Sequence, residues 1–334
     1  MTDLAQDADQ HRAYAETVAT PLQEHPMLDI NHILVVLDRN QVTQPAFERG
    51  LWLATSLDAD MTLVSSTYDQ YGSDDSYLDD ATRDGIRDAI MVSGQRWLDT
   101  YVSQAEEQGI SATAEIRWQR RLTDAVVAVS QASSFDLVIR STHHHSLLER
   151  LFSHQDWSLV KQCEAPVMLV KHATPWRHNR VLACIDATST DEGHQRLNDN
   201  ILSYAEHLAD HFTTDLHLIN TYPLMAMTLA LVPEITPPSD LQAIVEEQHR
   251  DACQSIAQKY NIADDHLHIL EGEPEGKIPE CAHDLEADLV VIGCAGRSGL
   301  SGVLIGNTAE SLIETLESDV LILKPQDGVN PEVT

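Results

Sequence analysis

The sequence predicts an α/β fold class: two tandem, doubly wound, five-stranded parallel-sheet domains. Three observations predict it. Short apolar runs alternate along the chain with longer helical patterns, as strands and crossover helices do. The runs are continuously apolar rather than alternating, which marks strands buried on both faces and therefore parallel and helix-covered. The runs also form two matched series at a nearly constant offset, the signature of a duplicated domain.

The first series opens with Ile33-Leu-Val-Val-Leu37, a strand that ends in Asp38. Further strands are expected near 61–66, 113–118, 135–139 and 167–171, with helices at about 43–58, 81–108, 122–133 and 154–162. The second series opens with Val181-Leu-Ala-Cys-Ile185 and Asp186, 148 residues after its counterpart. Its other strands are expected near 215–220, 266–270, 288–292 and 320–324, and its helices near 194–212, 239–260, 276–285 and 307–316. Phe135-Asp-Leu-Val-Ile139 recurs as Ala287-Asp-Leu-Val-Val-Ile292, and Val167-Met-Leu-Val-Lys171 as Val320-Leu-Ile-Leu-Lys324. The expected domains are therefore residues 30–172 and 180–326, joined by a linker at 173–179. An acidic tail, 1–29, precedes them, and a short tail, 327–334, follows. The apolar strands near 167–171 and 320–324 are poor exposed edges. They are expected to pair antiparallel with each other, making the chain a pseudo-dimer; pairing across chains in a homodimer is the alternative.

Composition narrows the function. The 334 residues carry 53 Asp and Glu against 21 Lys and Arg, a net charge of −32, with 43% apolar residues. So acidic a chain is a poor partner for nucleic acid, whose phosphates need clustered Lys and Arg, and for anionic membranes. No apolar run approaches the ~18 residues of a membrane span, and no secretory signal is visible. Only Lys161, Lys171, Lys259, Lys277 and Lys324 are lysines. Low Lys with abundant Asp and Glu fits a salt-adapted protein, in which salt screens self-repulsion. Five cysteines with no C-x-x-C fit a reducing cytoplasm better than a disulfide framework.

The chemistry concentrates after the strand ending at Ile292. There Gly293, Gly296, Gly299, Gly302 and Gly306 precede a helix that begins near Asn307 and Thr308. Glycine lets a ligand approach the backbone, and a helix start offers unpaired N–H groups with a positive dipole end. That is a recipe for holding a phosphate. A flexible loop closed by an Asn307-x-x-Glu310 capping box is the plainer reading.

The pattern G-x2-G-x9-G, met by Gly293, Gly296 and Gly306, resembles the nucleotide loop of the universal stress protein family. Asp186, Gly272-Glu273-Pro274, the Gly306-Asn-Thr-Ala-Glu310 run and the closing Leu-Lys-Pro325 extend the resemblance to the tandem, E-type members, over about residues 31–326. The resemblance implies the fold of adenine nucleotide alpha hydrolase-like domains. It also implies that Asp186 contacts the ribose side of ATP or another adenine nucleotide, with Gly293, Gly296 and Gly306 around the phosphates. Asn307 replaces the family's Ser or Thr, leaving Thr308 or Ser301 as substitute hydroxyls. A divalent metal would accompany ATP.

The equivalent stretch of the first half, from Ile139 to His154, has no glycine. His143–His145 and Phe152 are expected to fill the phosphate space there, so only the second half should bind nucleotide. His143 and His145 face one way on an extended segment and are candidate metal ligands, although a polar turn explains them as well. Arg117, Arg120 and Arg121 mark either an anion site or helix-face salt bridges. The apolar stretch between Pro223 and Pro233 is either a flap or packing against its own domain. No nucleophile elbow, H-E-x-x-H or pyrophosphatase loop is present. The sequence thus points to a cytoplasmic stress-response binding or signalling module with no assigned catalytic residue. A slow metal-dependent ATP hydrolase, and a module for a protein partner or apolar ligand, are the alternatives.

Overall fold

The strands and helices expected from apolar patterning are all present, in the expected order. In this computed structural model the described residues are 29–74, 77–142, 154–224, 240–294 and 306–325. The tails, the glycine loop between Cys294 and Gly306, His143–His145, Phe152 and most of the Pro223–Pro233 stretch lie outside them. The first half runs β1 (His32–Val36), α1 (Pro45–Leu57), β2 (Asp60–Thr67), α2 (Asp80–Glu107), β3 (Ala112–Trp118), α3 (Leu122–Ala132), β4 (Leu137–Ser141), α4 (His154–Gln162) and β5 (Val167–Val170). The second runs β6 (Arg180–Cys184), α5 (Glu192–Phe212), β7 (Asp215–Tyr222), α6 (Leu241–Lys259), β8 (Leu267–Glu271), α7 (Pro274–Asp284), β9 (Leu289–Gly293), α8 (Asn307–Thr315) and β10 (Asp319–Leu323).

All ten strands form one sheet, in the order β3-β2-β1-β4-β5-β10-β9-β6-β7-β8. Neighbours are parallel within each half. The seam is antiparallel, as expected, with Leu169 opposite Val320 and Val167 opposite Ile322. The seam removes both apolar edges from solvent: every residue of β5 and β10 is buried. Burying one such Val, Leu or Ile is worth about 1.5–3 kcal/mol.

Side-chain alternation divides the apolar residues between two cores, one on each face. Ile33, Val35, Phe47, Leu98, Leu197, Ile201 and Leu321 belong to one. Leu34, Val36, Val126, Leu159, Leu182, Leu312 and Ile322 belong to the other. Helices α1, α2, α5 and α6 therefore cover the first face, and α3, α4, α7 and α8 the second. Both cores run unbroken through the seam.

Polar contacts reinforce the seam reciprocally. Lys171, just past β5, donates its Nζ to the carbonyl of Ile313 in the last turn of α8 at 2.7 Å. Lys324, just past β10, donates to the carbonyl of Cys163, just past α4. Each lysine thereby satisfies a carbonyl at a helix C-terminus of the opposite half.

One expectation is corrected. Arg117 forms a salt bridge with Glu115. Both residues lie on strand β3, so the pair is not on a helix face, while Arg120 and Arg121 stay exposed.

Candidate functional site

In the second half the sheet's connections diverge between β6 and β9. Helix α5 leaves toward one face and α8 toward the other, which opens a crevice beyond the carboxyl ends of the strands. A cleft of about 690 Å³ lies there, lined among others by Asp186, Gly272, Glu273, Gly293, Gly306 and Thr308. Four of the six residues singled out from the sequence thus meet in one cavity. Gly296 lies outside the described residues. Asn307 is exposed and does not line the cleft.

Asp186 follows β6 and is held by Asn198 of α5, an anchor that sequence reasoning missed. The Asn198 side chain accepts from the Asp186 N–H at 3.3 Å and donates to its carbonyl at 2.7 Å. Thr188 donates its hydroxyl to the Asp186 carboxylate at 3.3 Å. The backbone being pinned, the exposed carboxylate stands at the cleft's rim.

Gly293 ends β9 for a packing reason. A Cβ there would sit 2.6 Å from Leu197 Cδ2 and 3.1 Å from Ile201 Cδ1, so any larger residue would force the Leu197 side chain of α5 to shift. Gly272 ends β8 at φ +133°, a conformation that favours glycine, and Pro274 then starts α7 at its first turn.

The expectation of a capping box at Asn307 is corrected. Gly306 is the N-cap, in an extended conformation with no side-chain bond, and Asn307 is already the first helical residue. A capping box needs a side-chain oxygen at the N-cap, which glycine lacks. The start of α8 is therefore left without a side-chain cap beside the cleft. Thr308, a candidate substitute hydroxyl, donates to the Glu275 carboxylate instead of standing free.

One wall is aromatic and amide-bearing. Tyr222 and His249 lie with ring centroids 5.6 Å apart. His249 Nδ1 pairs with Asn220 Oδ1 at 2.6 Å, and Asn220 in turn donates to the Ile185 carbonyl at 3.1 Å. Burial lowers the His249 pKa, with Asp186 opposing it. No pattern in the sequence pointed to Asn198, Asn220, Tyr222 or His249, because they reach the cleft from three separate elements, α5, β7 and α6.

Among the described residues, the matching place in the first half offers about 10 Å³, between Val36, Asp38, Gln41, Gln44, Leu122, Arg140 and Ser141. Gln44 clamps Asp38 as Asn198 clamps Asp186: it accepts from the Asp38 N–H at 3.1 Å and donates to its carbonyl at 2.7 Å. Gln44 and Gln41 thus occupy the mouth themselves. The side chains expected to block this site, His143–His145 and Phe152, lie outside the described residues; among the described residues Gln41 and Gln44, in the loop after β1, line it.

A second cavity, about 550 Å³, lies beneath the linker and is lined by Arg49, Trp176, Asp288 and Asp319, among others. Its charged groups pair with one another and with the linker: Asp288 accepts from the backbone N–H groups of Arg177 and His178, and Asp319 accepts from Trp176 Nε1. It is a structural seam. Among the described residues no helix is long and apolar enough to cross a membrane.

Comparison with known proteins agrees with this architecture. Residues 29–171 and 178–324 each match the model of the universal stress protein family. The chain is 31% identical over 304 residues to universal stress protein E of Salmonella typhi, covering 90% of this chain and 96% of that protein. It is 29% identical over 306 residues to a universal stress protein E homolog of Haemophilus influenzae, covering 89% and 98%. A crystal structure of a protein of unknown function from Pseudomonas aeruginosa PAO1 superposes with a TM-score of 0.70 at 29% identity, covering 90% of this chain and 95% of that one. A universal stress protein from Archaeoglobus fulgidus shares the fold, with a TM-score of 0.63 at 16% identity, covering 89% and 99%. With two matched domains and this full-length likeness, the chain belongs to the universal stress protein family as a tandem, E-type member.

Proposed function

We propose that the chain is a cytoplasmic stress-response module that binds one adenine nucleotide, in the cleft of its second half, and acts through binding. The observation that carries this reading is the contrast between the halves: a cleft of about 690 Å³ in one and about 10 Å³ in the other. Asp186 receives the ribose hydroxyls, and the Tyr222–His249 wall lies beside the base. The phosphates lie toward Gly306 and the uncapped start of α8, where unpaired N–H groups favour an anion.

Charge specifies the form of the ligand. The described lining holds Asp186 and Glu273 and no Lys or Arg, and the Glu275 carboxylate sits behind Thr308. A bare triphosphate would be repelled, so a divalent cation accompanies ATP in this reading, bridging phosphate and carboxylate oxygens.

Titration calorimetry with ATP, with and without Mg2+, tests the proposal. The expected result is one nucleotide per chain, Mg2+-dependent, weakened in Asp186→Ala and unaffected in Asp38→Ala. Two sites, no binding, or indifference to Asp186→Ala would overturn it.

A further inference from the structure

At the opposite end of the same sheet, where β7 and β8 begin, three histidines and an aspartate gather. Asp215, His217 and His266 each offer a ligand atom, and these atoms all lie within 4.8 Å of one another. The cluster lies toward the other end of β7 from the cleft: His217 is five residues, about 16 Å along the strand, from Tyr222, and three, about 10 Å, from Asn220.

Two features distinguish this cluster from an ordinary polar patch. His217 is 6% exposed, and its Nε2 is buried with no hydrogen-bond partner among the described residues. Leaving a ring nitrogen desolvated and unpaired is unfavourable. The Nδ1 atoms of His217 and His266, by contrast, are engaged. His217 Nδ1 lies 3.2 Å from His268 Nε2, and His266 Nδ1 lies 3.1 Å from the Leu216 carbonyl. The Leu216 contact requires His266 Nδ1 to carry the proton, which leaves a lone pair on Nε2. Metal-ligating histidines are typically oriented in this way, one nitrogen fixed by a carbonyl or a neighbouring acceptor and the other free for the ion.

The duplicated domain supplies an internal control. Strand register places Asp60, Thr62 and Thr113 of the first half at the positions of Asp215, His217 and His266. There the polar groups satisfy one another: His32 Nε2 to Thr62 Oγ1 at 2.9 Å, and Thr62 Oγ1 to Thr113 Oγ1 at 3.2 Å. The fold therefore does not require histidine at these positions. In the second half the residue that matches His32 is Arg180, the first of β6, whose guanidinium is turned to the Leu285 carbonyl at 2.6 Å.

We propose that Asp215, His217 and His266 bind one divalent transition-metal cation of the zinc type, with His268 as the positioning residue behind His217. Two imidazoles and one carboxylate suit Zn2+, whereas Ca2+ and Mg2+ prefer all-oxygen shells. Zn–N and Zn–O distances of about 2.0–2.2 Å require the three ligand atoms to draw slightly closer, a movement that side-chain rotation supplies. Asp215 is exposed, so the ion enters from solvent and a water completes its shell. Burial, with the neighbouring imidazoles of His266 and His268, holds the His217 pKa down to about 4, so its ring is neutral near pH 7. The bound ion ties β8, an edge of the sheet, to β7.

The test titrates the chelator-stripped full chain with Zn2+ and, separately, with Co2+ at pH 7.5. One tight equivalent of Zn2+ and a visible Co2+ ligand-field band are expected. His217→Thr and His266→Thr, which install the first half's residues, each lower affinity at least tenfold and remove the band, while His143→Ala/His145→Ala leaves both intact. Asp215→Asn, a change at an exposed side chain that leaves folding undisturbed, also weakens binding. His268→Gln weakens it with the band retained and shifted, as a residue behind the ligand should. An absent Co2+ band, or unchanged affinity in His217→Thr and Asp215→Asn with circular dichroism intact, overturns the proposal.

Discussion

Arg49, on α1 of the first half, places its Nε 2.9 Å from Oδ2 of Asp319, the first residue of β10 in the second half, and their side chains are only 3% and 4% exposed. Around this pair Arg49 donates to the Thr174 carbonyl at 2.7 Å, and the Lys171 N–H and Trp176 Nε1 donate to Asp319 at 2.9 and 3.0 Å. The guanidinium also lies 5.3 and 5.2 Å from the ring centroids of Trp52 and Trp176. The two halves and the linker are thus joined at one buried ionic centre. Burial lowers the Arg49 pKa and raises that of Asp319, while each charge pulls the other back.

Removing one member leaves a buried charge alone. Asp319→Ala should therefore cost about 3–5 kcal/mol. Arg49→Met combined with Asp319→Leu should recover much of that loss, because an apolar pair no longer bears the desolvation cost of two ions. Urea denaturation of the two single variants and the double variant measures the coupling. Additive losses would mean that the pair does not act as a unit.

Lys171 gives the seam a pH dependence. Burial lowers its pKa from 10.5 to about 8, against the opposing charges of Asp319 and Glu314. Between those values the unfolded chain holds the proton and the folded chain has released it, so stability rises with pH. Relative to Lys171→Met, the wild type should gain about 2–3 kcal/mol between pH 7 and pH 10. Parallel melts of the two proteins across that range check the sign, and a gap that moves the other way would contradict it.

Asp186→Ala should weaken nucleotide binding by about 1–3 kcal/mol, the loss of hydrogen bonds to a charged acceptor. Asn307→Ser should change affinity little, because residue 307 is exposed and outside the cleft. Calorimetry on both variants distinguishes a site at the α8 start from one that uses the residue 307 side chain.

Salt should stabilise the chain. A net charge of −32 repels itself in the compact state, and screening relieves that repulsion. Melting midpoints are expected to climb between low and molar potassium chloride. A midpoint that stays flat or falls would remove the salt-adapted reading.

The sequence by itself determined the strands, the helices and the duplication. The central strands are runs such as Ile33–Leu37 or Val181–Ile185, whose burial is a local property of consecutive apolar residues, while the edge strands β3 and β8 stay half-exposed. It also located Asp186 and the glycines, because glycine and a strand-end aspartate announce themselves by type and position. The structure decided what depends on residues distant in the chain. Gln44 braces Asp38 and Asn198 braces Asp186, yet an amide six or twelve residues after a strand-end aspartate is unremarkable until the fold turns it back. The packing need for Gly293 appears only once Leu197 lies over it. Arg49 and Asp319 are 270 positions apart, and His217 and His266 are 49, so no local pattern links either pair. Periodicity records which side of an element is buried; which side chains share that burial is set by strand order and register, and these exist only after the chain has folded.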